Sequence, residues 1–260
     1  MERNIVMIHG MWGGGWYWGK YIKFFTEKGY QCHAPYLRYH NVDPKAEPDP
    51  RLGTTSLLDY AQDLEDYIKE KELNERPILM GHSMGGLLAQ ILGARGVASA
   101  LVLLTPAPPA GIFALKFSVI KTFRPVLFKW GFWKKPHSLP LKNSVYGMMH
   151  LMSENDQQNH YVQCVHESGK AATEIAFWRQ AARVDESEVK CPVLVVAGKE
   201  DRITPAPVVK KVAKKYGALP EDYKCFDKHA HMVVCEPGWE DVAGFAWEWL
   251  KGTQLKTDGI

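Results

Sequence analysis

The pentapeptide Gly-His-Ser-Met-Gly at residues 81–85 directly follows a short apolar run, Ile-Leu-Met, at residues 78–80. The run indicates a buried strand, and the apolar residues after Gly86 indicate a helix. A serine in a one-residue turn between them takes a strained conformation, and the chain on either side comes too close for side chains. Gly81 and Gly85 leave that room. The stretch therefore predicts a strand, a sharp turn that exposes Ser83, and a helix whose N-terminus favours negative charge beside it.

A serine hydroxyl is a weak nucleophile, so it needs a base beside it and amide donors opposite it. The chain opens with an apolar run at residues 4–8 that leads into a glycine-rich loop at residues 9–15. Such a loop can offer the N–H of Met11, or alternatively of Trp12, to a tetrahedral oxyanion. The N–H of Met84, directly after the serine, would be the second donor.

Two later segments carry an acid and histidines. The apolar run at residues 192–198 ends shortly before Asp201, where a carboxylate can orient a base. Residues 223–226 form the last strand-like run, and the loop after them contains His229 and His231. A glycine-flanked serine alone could be an ordinary turn, but serine, acid and histidine follow in the chain order of the α/β hydrolases.

On these motifs the chain resembles the α/β-hydrolase superfamily, and within it the capped carboxylesterases, monoacylglycerol lipases and lysophospholipases. The resemblance covers nearly the whole chain and rests on His9-Gly10, on residues 81–86, on Gly198 with Asp201 and Pro205, and on His231 with Glu236-Pro237. It implies that Ser83 is the nucleophile, His231 the general base and then acid, and Asp201 the orienting acid. It also implies that the amides of Met11 and Met84 form the oxyanion hole. The family usually has glycine immediately before its histidine, and this chain has Ala230.

Each predicted catalytic residue has competitors. His229 would point to the same side of an extended segment as His231, but the sequence that follows His231 matches the family. Glu200 and Asp185 compete with Asp201. Glu200 would face elsewhere if Asp201 points at the imidazole, and Asp185 precedes the strand that should deliver the acid. His9 and His82 are interpreted as structural residues that hydrogen-bond loop backbone.

Apolar runs alternate with amphipathic stretches, which predicts βα units and a mostly parallel sheet of the α/β class. With the resemblance, we expect an α/β-hydrolase fold of about six strands flanked by helices. Helices are predicted at residues 16–28, 56–72, 208–216 and 239–251. Residues 1–105 and 189–252 would form the core, residues 253–260 a tail, and residues 106–188 a helical cap, because this insertion is too long for an ordinary loop.

The first part of the cap is rich in aromatic and basic residues and has no acidic residue between positions 106 and 142. One interpretation is that it lines an acyl pocket and touches an anionic lipid surface or micelle. The other is a solvated face whose aromatic residues are buried on the core. Trp12, Phe113 and Phe117 are the predicted substrate-pocket residues.

Composition narrows the function classes. The formal net charge of +3 is small for 260 residues and does not indicate nucleic-acid binding. Five cysteines without Cys-x-x-Cys spacing suggest neither a disulfide framework nor a zinc site. No metal or organic cofactor is expected, and the absence of a visible signal peptide or membrane span favours a cytoplasmic setting.

The predicted function is a serine hydrolase that cleaves small-molecule carboxylic esters with an apolar acyl group, a class that includes monoacylglycerol-like and lysophospholipid-like substrates. Serine at position 83 argues against the superfamily's dehalogenases and epoxide hydrolases, which use aspartate there. Thioesterase, carbon–carbon hydrolase, hydroxynitrile lyase and perhydrolase activities stay open, because the fold and these residues do not fix the substrate. So does a ligand-binding or signalling role on the same scaffold.

Overall fold

The fold is seen in a computed structural model, which describes residues 3–71, 73, 76–114, 116–177 and 180–257, with the backbone alone for residues 254–257. The strands, in chain order, are β1 (Arg3–Ile8), β2 (Tyr30–His33), β3 (Ile78–His82), β4 (Ala100–Leu104), β5 (Pro136–His137), β6 (Glu167–Ser168), β7 (Val193–Gly198) and β8 (Tyr223–Phe226). Six of them form one sheet in the order β2-β1-β3-β4-β7-β8, with every neighbouring pair parallel. The predicted fold class is confirmed.

The α-helices in the described part of the chain are α1 (Gly19–Glu27), α2 (Leu57–Glu70), α3 (Met84–Ala94), α4 (Phe117–Leu127), α5 (Leu141–Ser144), α6 (Glu154–Tyr161), α7 (Gly169–Ala176), α8 (Ala206–Lys215) and α9 (Trp239–Thr257). Short 3₁₀ helices occur at Gly15–Trp18, Pro50–Thr54, Phe132–Lys134, Gln180–Ala182, Glu186–Glu188 and Pro220–Asp222, and a π-helical turn at Val145–Met149.

Helix ends follow local chemistry. Helix α2 begins after Ser56, whose side chain accepts from the Asp59 N–H while the Asp59 carboxylate accepts from the Ser56 N–H. Residue 72, the predicted end of this helix, lies outside the described residues. Helix α9 continues to Thr257 and so takes up the first part of the predicted tail, because a formed helix extends at little cost where no proline stops it. Residues 258–260 lie outside the described residues.

Both faces of the sheet are covered. Alternate residues of the central strands β1, β3, β4 and β7 join two different apolar clusters. Ile8 and Leu103 pack with α2, α3 and α8, whereas Met7 and Val102 pack with α1 and α9. Burial on both faces explains why these strands read as continuous apolar runs in the sequence. Helix packing on both faces holds in place the strand ends from which the site is built.

The segment between β4 and β7, residues 105–192, is called here the inserted segment. It carries α4 to α7, and its strands β5 and β6 pair antiparallel. Buried hydrogen bonds fix it to the core: Ser168 Oγ donates to the Thr55 carbonyl at 2.6 Å, and Glu174 Oε2 accepts from the Leu57 N–H at 2.8 Å. The segment is therefore attached at the N-terminus of α2.

Within the described residues, no helix combines the length and the apolar character needed to cross a bilayer.

Candidate active site

Ser83 occupies the turn between β3 and α3, with φ 55° and ψ −120°. A Cβ on Gly81 would lie 2.2 Å from the Gly85 carbonyl oxygen, and one on Gly85 would lie 2.1 Å from the Ile8 carbonyl oxygen. Both glycines are therefore required by the close approach of backbone to backbone. The strained turn predicted from residues 81–85 is present.

Three loops bring their side chains into one chain of hydrogen bonds. Ser83 Oγ lies 3.0 Å from His231 Nε2, and His231 Nδ1 lies 2.9 Å from Asp201 Oδ2. Asp201 follows β7 and His231 follows β8, at the same sheet edge as Ser83, because parallel strands present their carboxyl ends together. His231 and Asp201 are only 2% and 5% exposed.

Asp201 is held as a charged acceptor. Its Oδ1 accepts from the N–H groups of Ile203 and Thr204 at 2.7 and 2.9 Å, and Oδ2 accepts from Thr204 Oγ1 at 2.8 Å. Burial alone would raise the pKa of Asp201, but the charge and hydrogen bond of His231, together with these amides, lower it below its ordinary value. An ionised carboxylate only accepts, so it fixes the proton on His231 Nδ1 and leaves Nε2 to accept from the Ser83 hydroxyl.

The residues of the two predicted amide donors, Met11 and Met84, line the same cavity as Ser83. Met84 is the first residue of α3, so its N–H is one of the unpaired groups at a helix N-terminus. Neither this N–H nor those of Met11 and Trp12 has a hydrogen-bond acceptor in the part of the chain that the structure describes. The N–H of Gly10, by contrast, donates to the Tyr17 hydroxyl. Both donor choices of the glycine-rich loop, Met11 and Trp12, therefore stay open.

A supporting network joins the glycine-rich loop to the His231 loop. Burial lowers the pKa of His82 to about 3, so its ring is neutral. His82 Nε2 lies 2.8 Å from the His231 carbonyl oxygen and must donate to it, which leaves Nδ1 to accept from the Tyr17 hydroxyl at 3.2 Å. The Thr105 hydroxyl donates to the same His231 oxygen at 3.0 Å. Sequence reasoning missed Tyr17 and Thr105, and the only signal for Tyr17 is the aromatic run at residues 16–18.

His9 supports the loop from the other side. Its Nε2 accepts from the Leu37 N–H at 3.0 Å, and its Nδ1 lies 2.8 Å from the Gly10 carbonyl oxygen. Burial lowers the pKa of His9 to about 3. His9 and His82 thus both bond loop backbone, as expected.

The competing residues lie elsewhere. His229 Nδ1 pairs with Glu236 Oε1 at 3.0 Å, and His229 does not line the cavity that contains Ser83. Glu200 is exposed, and exposed Asp185 caps the 3₁₀ helix Glu186–Glu188. The structure therefore brings Asp201 and His231, rather than these neighbours, to Ser83.

Ser83 opens into a cavity of about 150 Å³ whose lining is almost entirely apolar. Trp12 lines it, and α4 contributes Val119, Ile120, Phe123, Val126 and Leu127. Among its described lining residues none is lysine, arginine, aspartate or glutamate. The cavity therefore suits a neutral, apolar ligand.

Two of the predicted pocket residues are corrected. Phe113 and Phe117 do not line the cavity and are 54% and 79% exposed; Phe123 and Phe132 line it instead. Phe117 lies roughly 120° around α4 from the centre of the cavity-facing stripe, since each residue advances the helix by about 100°. Phe113 lies between buried Ile112 and the lining residue Ala114, so an extended chain turns its side chain the other way.

Residues 5–243 match the family described as Alpha/beta hydrolase family. The chain belongs to that family.

Solved structures of other proteins share this alpha/beta hydrolase fold. The methylesterase MES16 from Arabidopsis superposes with a TM-score of 0.73 at 12% identity, covering 96% of this chain and 99% of that chain. A monoacylglycerol lipase from Paleococcus ferrophilus gives a TM-score of 0.67 at 22% identity, covering 96% of this chain and 94% of that chain.

Curated relatives match over shorter shares of their length. Methylesterase 18 of Arabidopsis thaliana is 29% identical over 85 residues, 33% of this chain and 31% of that protein. Protein ABHD8 of Homo sapiens is 24% identical over 244 residues, 89% of this chain and 52% of that protein. The matched stretches thus span about a third of the first relative and about half of the second.

Proposed function

We propose that this protein is a serine hydrolase that cleaves carboxylic esters with an apolar acyl group. The observation that carries the proposal is the hydrogen-bonded series from Asp201 through His231 to Ser83, whose Ser83 end opens into an apolar cavity. A serine with a positioned base and a charged orienting acid is the arrangement that acyl transfer needs.

In the proposed reaction His231 Nε2 takes the Ser83 proton while Ser83 Oγ attacks the ester carbonyl carbon. The resulting oxyanion accepts from the N–H of Met84 and from that of Met11 or Trp12. His231 then gives the proton to the leaving alcohol, and the acyl group stays on Ser83. A water molecule, deprotonated by His231, attacks the acyl-enzyme and releases the acid, and His231 returns the proton to Ser83.

The choice of an apolar acyl group is supported by the cavity lining. In this proposal the inserted segment is the cap, because α4 and Phe132 supply much of the apolar wall around the serine. Removing alkyl or aromatic surface from water stabilises the bound ester by about 25 cal/mol per Å². Relatives and structural neighbours named as methylesterases and as a monoacylglycerol lipase are consistent with an ester substrate.

A hydroxynitrile lyase activity is the second candidate, because the Alpha-hydroxynitrile lyase of Arabidopsis thaliana is 29% identical over 89 residues. Such a reaction expels cyanide, and an anion leaving into an apolar cavity needs a cation or several donors. None of the described lining residues is a lysine or an arginine. The described lining residues thus offer no permanent side-chain cation to a leaving cyanide, and we therefore rank ester hydrolysis first.

The test is steady-state hydrolysis of p-nitrophenyl esters from acetate to palmitate by the wild type and by Ser83→Ala. Alanine has the same Cβ as serine and tolerates the same turn, so the variant should fold normally while turnover disappears. Ser138→Ala, at an exposed serine of the inserted segment, is the matched control and should keep full activity.

Retained turnover in Ser83→Ala would contradict the nucleophile assignment. A wild type that is inactive on the whole series but releases cyanide from a cyanohydrin would replace the esterase proposal with the lyase. Inactivity in both assays would point to a binding protein on this scaffold.

A further inference from the structure

Four large aromatic side chains of the inserted segment are exposed, two of them phenylalanines and two tryptophans. Phe117, Phe128 and Trp130 are 79%, 80% and 88% exposed, and Trp133 is 37% exposed. They are called here the aromatic patch. Single exposed apolar residues are ordinary, but four within one short stretch of chain indicate an interaction surface.

Basic residues alternate with this patch along the chain. The six that accompany it are all exposed: Lys116, Lys121, Arg124, Lys129, Lys134 and Lys135. None of them forms a salt bridge with a residue that the structure describes, and residues 106–142 contain no acidic residue. Because the whole chain has a formal net charge of only +3, the rest of it is net negative. The excess positive charge of the chain therefore comes from the stretch that carries the patch.

Helix α4 connects this surface to the cavity. Phe117, Lys121 and Arg124 have i, i+4, i+7 spacing and share its outer side, whereas its opposite stripe lines the cavity. Ile120 belongs to both sides, because it lines the cavity and is 43% exposed. It is one turn from Phe117, so the cavity reaches the surface beside the patch.

We propose that the aromatic patch and its basic residues dock the protein on an anionic lipid surface, with the cavity opening toward the lipid. Aromatic rings partition to the headgroup level of a bilayer, and lysines around them are attracted to anionic lipids.

A protein partner fits this surface less well. Protein interfaces are enriched in aromatic residues and arginine but depleted in lysine, and five of these six basic residues are lysines. Lysine can extend its ammonium group to lipid headgroups while its methylene chain lies on apolar surface. Charge and composition together therefore favour a lipid surface.

Docking would also matter for the reaction. If the protein is the ester hydrolase proposed above, an amphiphilic ester could pass from the lipid into the cavity beside Ile120 without crossing water. This consequence rests on the proposed function, but the docking itself does not.

The experiment measures sedimentation with phosphatidylcholine vesicles that contain or lack phosphatidylserine. All proteins carry Ser83→Ala, so binding is measured independently of any hydrolysis. The Ser83→Ala protein should sediment with the anionic vesicles and be released by salt, because exposed charges are screened within about 10 Å at 0.1 M salt. Lys134→Glu/Lys135→Glu should weaken partition roughly tenfold or more. Phe128→Ser/Trp130→Ser should weaken it on both vesicle types, because insertion of the rings does not depend on lipid charge.

Matched controls use exposed residues that belong neither to the aromatic patch nor to its six basic residues. Lys210→Glu/Lys211→Glu on α8 makes the same change in net charge, and Val162→Ser removes another exposed apolar side chain. Both should bind like the parent. Equal binding by the Lys134/Lys135 variant and the parent would overturn the proposal, as would no binding by the parent. A dimer in sedimentation velocity that Phe128→Ser/Trp130→Ser abolishes would assign the patch to a second copy instead.

Discussion

The indole Nε1 of Trp12 donates a hydrogen bond to the main-chain oxygen of His137 at 2.9 Å. The Trp12 carbonyl accepts from the Val165 N–H at 3.0 Å. Trp12 follows Met11 in the glycine-rich loop and has φ 61°, whereas His137 and Val165 belong to the inserted segment. One residue thus ties the loop that would stabilise the oxyanion to the segment that would cover it.

Trp12→Phe should destabilise the protein by about 1–3 kcal/mol, because the buried His137 carbonyl loses its donor. We also expect lower ester turnover, since small displacements beside the reacting atoms are costly. The measurement is urea unfolding together with kcat for a short ester.

Trp18→Phe is the matched control for that change. It removes the same indole ring, but Trp18 Nε1 is buried and has no hydrogen-bond partner within the described residues. The difference between the two variants in the loss of unfolding free energy therefore measures the contribution of the Trp12 hydrogen bond. Equal losses of stability would show that Trp12 contributes only its volume.

Asp201→Asn should lower kcat on the order of 10³–10⁴-fold with little change in KM. An asparagine can present its amide N–H to His231 and favour the wrong tautomer, with the proton on Nε2. Glu200→Gln, the same chemical change at the exposed neighbouring residue, should leave kcat within about twofold, because surface changes of this kind have small effects. A large loss in Glu200→Gln with an active Asp201→Asn would reverse the assignment.

The sequence predicted the parts of this site that depend on local chain geometry. The buried strands are apolar runs in the sequence. Gly81 and Gly85 are glycines because the backbone passes so close to them that no Cβ would fit. The expected direction of the side chain favoured Asp201 over Glu200, and the family match of the sequence after His231 favoured it over His229. The structure places both favoured residues in hydrogen-bonded series with Ser83.

Long-range packing was not predictable in the same way. Which side of α4 faces the cavity depends on how the helix packs on the core. The sequence therefore predicts Phe117 as a pocket residue, whereas the structure shows Phe123 lining the cavity and Phe117 exposed. Strands β5 and β6 have two residues each, too few to show a period of two. The hydrogen bond between Tyr17 and His82 joins residues far apart in the chain, and the aromatic run at residues 16–18 does not indicate which partner Tyr17 has.

Gly85→Ala should destabilise the protein by at least ~1–3 kcal/mol and lower activity in the fraction that folds. Its Cβ would meet the carbonyl oxygens of Ile8 and His9 at 2.1 and 2.6 Å, and these backbone atoms cannot rotate away. Gly244→Ala in α9 is the control, because a Cβ there meets no atom within 4 Å and should stabilise the helix by up to about 1 kcal/mol. Thermal unfolding of both variants measures the change in stability. A loss in Gly85→Ala with a gain in Gly244→Ala would confirm the prediction, and changes of the same sign would contradict it.

We expect the buried pair of Glu167 and His40 to make the stability of the inserted segment dependent on pH. Its Oε2 lies 3.1 Å from His40 Nε2, its Oε1 accepts from the Tyr60 hydroxyl at 2.8 Å, and all three side chains are buried. Burial alone would lower the pKa of His40, but the charge and hydrogen bond of Glu167 raise it above its ordinary value of 6.5. The neighbouring ring of His9, 5.1 Å away, stays neutral because burial lowers the pKa of His9 to about 3.

A histidine whose folded-state pKa is raised stabilises the protein below its unfolded pKa, and this contribution is lost as pH rises through the folded-state pKa. Glu167→Gln should therefore cost several kcal/mol at about pH 5.5, where a charged His40 loses its buried partner, and clearly less at about pH 8.5. Urea unfolding at both pH values measures the difference. In a His40→Gln background the same substitution should have a cost that does not change between these pH values, because the titrating group is gone. If the cost of Glu167→Gln in the wild-type background does not change with pH, Glu167 acts only through its hydrogen bonds. If the cost falls between about pH 5.5 and about pH 8.5 as predicted, the pH dependence belongs to the pair of His40, in the loop after β2, and Glu167 in β6.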